Sequence, residues 1–229
     1  MILIDGDMLV YRVGFACDEE PADVAERTMG NYITDIVCEL CYEYDTHRLF
    51  ISGKGNFRDG VAVSYPYKGT RTGRKPVHKT LLQDYLIREW GASVSFNMEA
   101  DDEIAIAATE LNHDCIICSL DKDFLQIPTR IYDYVKKEMK TIDSRFATEW
   151  LYRQALMGDR VDNIVGVAGI GPKKAEKLLE GWETERELYD ICLNTYKEHD
   201  MDEDRLNENL NLLYLLRSTD DSFKVPNEV

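Results

Sequence analysis

The chain has 229 residues, of which 44% are hydrophobic and 31% are charged, and its formal net charge is −16. This composition excludes a disordered chain and allows a buried core in one domain with an appendage or in two small domains. The acidic excess disfavours nucleic acid as a partner overall, although a local basic groove can still bind phosphates. No apolar run is long enough to cross a membrane and no signal-peptide pattern is present, so we expect a soluble, cytoplasmic protein without a membrane partner.

The first two thirds of the sequence predict the alternating strands and helices of an α/β fold with a mostly parallel sheet. Predicted strands cover residues 1–5, 48–51, 92–96, 115–118, 131–135 and 139–142, the last two as an edge hairpin. Predicted helices cover residues 8–16, 22–44, 77–90 and a segment that begins at Glu99-Ala100-Asp101-Asp102. The sequence therefore predicts a central sheet flanked by helices.

The last third of the sequence predicts a helical module. One helix begins at position 143 or 144 and ends near 157, and the chain from 183 onward is helical and rich in Leu. Between them, Gly169 and Gly171 permit a tight turn, and Pro172 suits the first position of a helix whose free N–H groups can bind a phosphate. The pattern predicts a helix-hairpin-helix that grips phosphates, with a plain turn between helices as the alternative.

Acidic residues stand at the ends of several predicted elements. The carboxyl ends of parallel strands meet at one edge of a sheet, so we expect the acids to converge there. The set comprises Asp5, Glu99, Asp101, Asp102, Asp121, Asp123, Asp159 and Asp162. So many carboxylates repel one another unless cations neutralise them, and oxygen ligands favour two or more Mg²⁺ or Mn²⁺ ions, which suit phosphodiester hydrolysis. For residues 99–102 alone, an ordinary acidic helix start is the alternative.

A basic segment is the second candidate for a functional surface. Residues 65–79 contain no acid, and their cations and aromatic residues are Tyr65, Tyr67, Lys68, Arg71, Arg74, Lys75 and Lys79. In so acidic a protein this composition predicts a phosphate-contacting segment, with a solvated loop as the alternative. The glycine-rich stretch 52–58 does not have P-loop spacing, which disfavours nucleotide binding.

The cysteines include two C-x-x-C pairs, Cys38 with Cys41 and Cys115 with Cys118. The pairs are too far apart in sequence for a zinc ribbon, and residues three apart on a strand point to opposite faces. We therefore predict that they are small core residues of a reduced, intracellular protein rather than zinc ligands.

Five ordered motifs resemble those of the flap endonuclease and 5′-nuclease superfamily, and together they extend over most of the chain. They lie at residues 4–7, 67–71, 99–102, 119–123 and 158–175. Within the superfamily, the chain is most similar to the 5′ to 3′ exonucleases of tailed bacteriophages and to the 5′-nuclease domain of bacterial DNA polymerase I. The resemblance implies a PIN/5′-nuclease-like α/β core at 1–143 with a short arch-like basic segment at 65–80. It also implies a helical DNA-binding module at 144–229 with a helix-hairpin-helix (helix-three-turn-helix) at 158–181.

The resemblance implies an activity as well. The protein would be a divalent-metal-dependent 5′ to 3′ exonuclease or structure-specific 5′ nuclease that acts in phage replication by 5′-end resection, flap removal or RNA primer removal. Its partners would be DNA with 5′ ends, as duplex, nick, gap or flap, and RNA–DNA hybrids. It would act as a monomer, in the host cytoplasm if it is phage-encoded.

The family motifs also imply roles for individual residues. The tighter metal would be held by Asp5, Glu99, Asp101 and Asp121, with Asp102 in support, and the second metal by Asp123, Asp159 and Asp162. Lys68 would orient and polarise the scissile phosphate, and Arg71 would be a second phosphate contact. Further DNA contacts would come from Arg58, Tyr67, Arg74, Lys75, Gly169, Gly171, Lys173 and Lys174. Carbonyl groups of the hairpin at Val167 and Ile170 would hold a K⁺ ion.

Two departures from the family pattern bear on this mechanism. The family has an acid before a Phe-Arg pair, where this chain has Ser52 and Gly53, so one metal-binding carboxylate is missing. Only 31 positions separate Lys68 from Glu99, too few for a long helical arch, which favours exonuclease action over the threading of long flaps. Two other functions stay open: a catalytically impaired DNA-binding accessory protein of the same fold and a PIN-like ribonuclease.

Overall fold

The structure, a computed structural model that describes residues 1–227, divides into two compact units. The first unit comprises Met1–Asn56 and Gly73–Ile142, and the second comprises Phe57–Thr72 and the chain from Asp143 onward. The predicted basic segment 65–80 is thus divided between them, and the predicted functional boundary at 143/144 stays a prediction. No helix within residues 1–227 has the length and apolar character needed to cross a bilayer.

The strands are β1 (Ile2–Asp5), β2 (His47–Lys54), β3 (Ser93–Phe96), β4 (Ile116–Cys118), β5 (Arg130–Asp133), β6 (Glu138–Thr141), β7 (Gly158–Asp159) and β8 (Ile164–Val165). The helices are α1 (Gly6–Ala16), α2 (Ala22–Leu40), α3 (Arg58–Val61), α4 (Lys79–Trp90), α5 (Ala100–Glu110), α6 (Ser144–Met157), α7 (Pro172–Leu178), α8 (Glu185–Lys197) and α9 (Glu203–Leu213). A 3₁₀ helix covers Lys122–Gln126.

The first unit is built on a six-stranded sheet with the order β3-β2-β1-β4-β5-β6. Neighbouring strands are parallel except for the antiparallel pair β5 and β6. The predicted mostly parallel sheet and its edge hairpin are therefore confirmed. Since β2 and β4 lie on opposite sides of β1, the carboxyl end of β1 is a topological switch point, where α/β proteins place ligands.

Helices cover this sheet because its central strands are apolar on both faces. Ile2 and Ile4 of β1 belong to a buried cluster with side chains of α1, α2 and α4. Leu3 points to the opposite face and is also fully buried, and α5 packs against β1 and β2. Helix α2 ends at Leu40, short of the predicted residue 44, because Leu40 is the last residue of its buried stripe.

The second unit has its own core, formed largely by α6, α8 and α9. The predicted helix after position 143 is confirmed, with the Asp143 carboxylate as its N-cap. Strands β7 and β8 were not predicted. The two strands pair so closely that a Cβ atom on Gly158, in β7, would lie 2.3 Å from the nitrogen of Gly166, directly after β8. Both positions therefore require glycine.

The cysteines divide into two classes. Cys115 and Cys118 are buried, whereas Cys38 and Cys41 are exposed. The core role predicted for Cys38 and Cys41 is wrong, because Cys38 lies off the stripe of α2 that packs inward and Cys41 follows the end of that helix. All six cysteines are free thiols.

Arg58 holds the chain after β2 against the end of α9. Its side chain is 2% exposed, and its Nε and Nη2 atoms donate hydrogen bonds of 2.8 Å to the carbonyl oxygens of Leu212 and Tyr214. A buried guanidinium that satisfies carbonyl groups at a helix end is expensive to remove, because those carbonyls then lack donors.

We therefore expect Arg58→Met to lower the free energy of unfolding of the protein by about 2–4 kcal/mol. Urea unfolding followed by circular dichroism measures this change. Arg27→Met is the matched control, since Arg27 is an exposed residue paired with Asp23 and its loss should cost less than about 0.5 kcal/mol. Equal stabilities of the two variants would contradict the structural role of Arg58.

Candidate metal centre and phosphate-binding segment

Asp5 is a buried acid at the switch point of the sheet. Its side chain is 1% exposed; Oδ1 accepts a hydrogen bond from the Met8 N–H at 3.0 Å, and Oδ2 accepts one from the Ser119 hydroxyl at 2.6 Å. The pKa of Asp5 is raised to about 7, chiefly by burial and to a smaller extent by the charges of Asp7 and Asp121, while the two hydrogen bonds oppose the shift. Asp5 is therefore a carboxylate whose ionised form favours a nearby cation.

The start of α5 presents its acids in two different ways. Asp102 is fully buried, and its Oδ2 accepts the backbone N–H of Glu99 at 3.2 Å in a capping box. Asp101 takes no part in that cap. Loss of solvation raises the pKa of Asp101 well above its ordinary value, and the charges of Asp5, Asp121, Glu99 and Asp123 add to the shift. The helix-start alternative accounts for Asp102 but not for the position of Asp101.

Ser119 links the acid after β1 to the acids after β4. Its hydroxyl donates to Asp5 and accepts the backbone N–H of Asp121 at 3.0 Å. Asp121 in turn caps the 3₁₀ helix by accepting the N–H of Asp123 at 2.9 Å. Sequence reasoning missed Ser119, although a hydroxyl residue directly after a buried strand and two positions before an acid is a recognisable signal.

The carboxylates of the first unit are of the chemical type that a hard divalent cation prefers. Asp101 lies in the field of four other acids, and a cation would relieve that repulsion. The donors are oxygen atoms, which favour Mg²⁺ or Mn²⁺ over zinc. Within residues 1–227, no three acidic, His or Cys side chains are gathered closely enough to ligate a metal ion as they stand. The metal-ligand roles of these acids stay predictions.

Asp159 and Asp162 belong to the second unit: Asp159 is the last residue of β7, and Asp162 lies in the loop between β7 and β8. Asp159 is buried, and its Oδ1 accepts the backbone N–H groups of Val161 at 2.7 Å and Asp162 at 3.3 Å. These bonds shape the loop and fix the direction of Asp162. The second-metal role predicted for both acids is untested.

The Asp162 carboxylate lies among the basic residues of the segment 57–72. It accepts a hydrogen bond from Tyr67 Oη at 2.8 Å and one from Arg71 Nη2 at 2.5 Å, and Lys68 Nζ is 3.8 Å away. The backbone N–H of Lys68 also donates to the Asp162 carbonyl at 2.8 Å, while Lys68 adopts the left-handed φ of 55°. Lys68, Arg71 and Tyr67 therefore converge on one anionic group, as a phosphate-binding segment would require.

Glu208 of α9 binds the backbone of the segment 57–72 at residues 63 and 64. Its carboxylate accepts the N–H groups of Val63 and Ser64, both at 2.8 Å, and also contacts Arg205. These hydrogen bonds and the Arg205 ion pair lower the pKa of Glu208 against the opposing effect of burial, which is the largest single cause. Sequence reasoning did not identify Glu208, because an acid in the middle of a helix has no local signal for a distant backbone partner.

The predicted DNA contacts occupy different environments. Gly169 has a φ of 76°, and apart from the adjoining residues no heavy atom of residues 1–227 lies within 4 Å of a Cβ added at Gly169 or Gly171, so a ligand can approach the backbone. Lys173 and Lys174 are exposed at the start of α7. Arg58, by contrast, is buried on carbonyl groups, which argues against its predicted DNA contact.

Arg74 and Lys75 lie in the first unit, and both are exposed. Arg74 pairs with Asp18, and its guanidinium lies over the Phe15 ring. At the hairpin of the second unit, the Val167 carbonyl accepts the N–H of Ile170 at 3.2 Å. The K⁺ site predicted at Val167 and Ile170 stays a prediction.

Comparison with known proteins gives a consistent result. The family model described as the 5′-3′ exonuclease, C-terminal SAM fold, matches residues 147–219. The flap endonuclease Xni of Shewanella halifaxensis is 33% identical over 213 residues, which cover 82% of this chain and 80% of the relative. The 5′-3′ exonuclease of Mycoplasma pneumoniae is 31% identical over 211 residues, which cover 80% and 72% of the two chains.

Solved structures show the same fold. The bacteriophage T5 5′-exonuclease with bound divalent zinc ions has a TM-score of 0.70 at 21% identity, over 93% of this chain and 88% of that one. The T5 flap endonuclease in a complex with DNA and metal ions has a TM-score of 0.67 at 20% identity, with the same coverage. Both structural matches support an α/β core with a helical C-terminal module.

The crowding of acids predicts that the free energy of unfolding of the metal-free protein falls as the pH rises. The folded chain raises the pKa of Asp101 above its ordinary 3.8, so the folded state prefers the protonated acid and loses stability as pH rises through the raised value. In EDTA, Asp101→Asn should therefore raise the free energy of unfolding by at least about 1 kcal/mol at pH 8 and change it little near pH 4. Denaturant titration at both pH values measures this difference.

Addition of Mg²⁺ at pH 8 should stabilise the wild type more than the Asn variant, because the variant lacks one negative charge near the cation. A variant that is no more stable than wild type in EDTA at pH 8 would show that Asp101 is not crowded by like charge.

Proposed function

Because this chain belongs to the family of flap endonucleases and 5′-3′ exonucleases, it is a nuclease, and we propose that it hydrolyses phosphodiester bonds at the 5′ ends of DNA with divalent metal ions. The observation that carries the proposal is the set of acids around Asp5 and Asp101, whose charges interact at the switch point of the sheet. Carboxylates crowded at a buried position lower the stability of the fold and favour the binding of a cation.

The residues of the chain divide the work of hydrolysis. Divalent ions bound by the acids would activate a water molecule and stabilise the leaving oxygen. Asp5, Glu99, Asp101 and Asp121, supported by Asp102, would hold one ion, and Asp123, Asp159 and Asp162 would contribute to a second. Lys68 and Arg71 would bind and orient the scissile phosphate, which would compete with the Asp162 carboxylate for the same two cations.

The finer features of the substrate belong to the same proposal. We expect Mg²⁺ as the natural ion, with Mn²⁺ as a substitute, and DNA with a free 5′ end as duplex, nick, gap or flap, or as an RNA–DNA hybrid. The open backbone at Gly169 and Gly171, with Lys173 and Lys174 beside it, would grip the duplex without regard to sequence, with the predicted K⁺ at the hairpin. The protein would act as a monomer in the cytoplasm, and the role in phage replication stays a prediction.

One observation favours a second candidate function. Position 52 is a serine, and position 53 is a glycine, where the family pattern has an acid. A DNA-binding accessory protein that has lost catalysis would show the same replacement. Binding of duplex without turnover in Mg²⁺ or Mn²⁺ would support this candidate. Cleavage of single-stranded RNA in preference to DNA would instead support a PIN-like ribonuclease.

Asp121→Asn tests the proposed catalysis directly. The asparagine keeps an oxygen that can accept the N–H of Asp123 but removes the charge, so we expect at least a hundredfold loss of cleavage with duplex binding retained. Release of short products from 5′-labelled duplex, flap and RNA–DNA substrates in Mg²⁺ measures the activity, and fluorescence anisotropy measures binding.

Asp143→Asn is the matched control for that variant. Asp143 also caps a helix, by accepting the N–H of Phe146 at 2.8 Å, but it is not among the proposed metal ligands. Wild-type rates for Asp143→Asn and a large loss for Asp121→Asn are the expected pair of results. Full activity of Asp121→Asn would overturn the metal-ligand assignment.

The hairpin proposal predicts a salt effect. Replacing Lys173 and Lys174 by Ala should weaken duplex binding about tenfold and reduce the slope of log K against log salt by about 2, because two phosphate contacts are lost. The matched control is the double alanine variant of Lys136 and Lys137, two exposed lysines between β5 and β6. An unchanged slope in the Lys173/Lys174 variant would show that these two lysines do not contact the phosphates of the duplex.

A further inference from the structure

Asp7 is an acid of the first unit to which neither the family motifs nor the sequence gives a role. It stands in the first turn of α1, two positions after Asp5. An acid in the first turn of a helix has an ordinary explanation, since it complements the helix dipole. Two contacts show that more than the dipole determines the position of Asp7.

The first contact is between α1 and β2. A Cβ atom on Gly6 would lie 2.6 Å from the carbonyl oxygen of Phe50, so α1 begins in direct contact with the backbone of β2. This close approach carries Asp7 toward residue 52, where its Oδ2 accepts the Ser52 N–H at 3.0 Å. Asp7 thus faces the neighbouring strand rather than only its own helix.

The second contact extends from Ser52 to α5. The Ser52 hydroxyl accepts the backbone N–H of Ala100, the first residue of α5, at 3.0 Å. Two hydrogen bonds therefore join Asp7 to the helix start that bears Glu99 and Asp101. Asp7 also lies close enough to Asp5 for the two charges to interact.

The carboxylate of Asp7 also retains an oxygen for a ligand. Within residues 1–227, the Ser52 N–H is the one hydrogen-bond donor to Asp7, and it engages Oδ2. An acid at position 53 is sterically excluded, because a Cβ atom there would lie 2.1 Å from the Ser95 carbonyl oxygen. Position 52 carries a hydroxyl that the α5 backbone already engages.

We propose that Asp7 supplies a carboxylate to the divalent-cation site of Asp5, Glu99 and Asp101, in the place where residue 52 offers none. The inference rests on the proposed metal-dependent function. Asp7 adds negative charge at the side of the site that faces β2, which strengthens cation binding. Its role is in the affinity for the metal, so metal binding can be measured without turnover.

Asp7→Asn is the test variant, because the asparagine oxygen can still accept the Ser52 N–H while the charge is lost. We expect its Kd for Mn²⁺, measured by calorimetry and by electron paramagnetic resonance on the full chain without DNA, to rise about tenfold. Its thermal midpoint in EDTA should be equal to or above that of the wild type. Asp133→Asn is the matched control, since Asp133 also caps backbone N–H groups at the end of a parallel strand, at Val135 and Lys136.

Restoration of the charge from the neighbouring strand completes the test. In Asp7→Asn combined with Ser52→Asp, the new carboxylate can still accept the Ala100 N–H, and the Mn²⁺ affinity should return to within about threefold of wild type. Asp7→Ser serves as a second variant if Asp7→Asn is unfolded in EDTA. An unchanged Kd in Asp7→Asn would overturn the role of Asp7 and leave the nuclease proposal intact. A wild type that binds no Mn²⁺ would overturn the metal-dependent function and this inference with it.

Discussion

The carboxylate of Asp5 is buried at the carboxyl end of β1, the topological switch point of the sheet. A buried charge is unfavourable unless a counter-charge accompanies it. Apolar strands on either side of β1 create the low-dielectric surroundings that raise its pKa. The same strands bring the acids after β4 and at the start of α5 into its field. The fold thus concentrates negative charge at a buried position, where carboxylates repel one another unless a cation accompanies them.

Backbone N–H groups make this concentration tolerable in the absence of a cation. Several acids of the site accept a nearby N–H: Asp5 from Met8, Asp7 from Ser52, Asp102 from Glu99, and Asp121 from Asp123. Such bonds fix each of these side chains in one direction. The hydroxyls of Ser52 and Ser119 connect neighbouring elements. These four carboxylates are therefore each held in place by a backbone N–H group rather than left to rotate freely.

The elements of the first unit were predictable because their signals are local. Apolar runs such as 115–118 define buried strands, and an acid directly after such a run must lie at the strand's carboxyl end. The pairing of β7 with β8 was not predictable, because it depends on a contact between Gly158 and Gly166 across a loop with little hydrophobic pattern. Arg58 illustrates the same limit: its charge suggested a surface contact, and only the packing of α3 on α9 buries it. Local patterns predicted where the acids stand along the chain, whereas the hydrogen bond from the Ser52 N–H to Asp7 joins two elements that are distant in sequence and has no local signal.

The net charge of −16 is compatible with a DNA substrate because of where the charges lie. Asp5, Asp102 and Asp159 are buried, so they add less to the repulsion that DNA meets at the surface than exposed acids would. Exposed cations stand close together, without an acid between them, at 71–75 and at 173–174, as they also do at Lys136 and Lys137. Phosphate contacts depend on such local clusters rather than on the sum over the chain. If divalent ions occupy the buried acids, the remaining negative charge near Asp5 falls further, and metal binding itself prepares the protein for a polyanionic substrate.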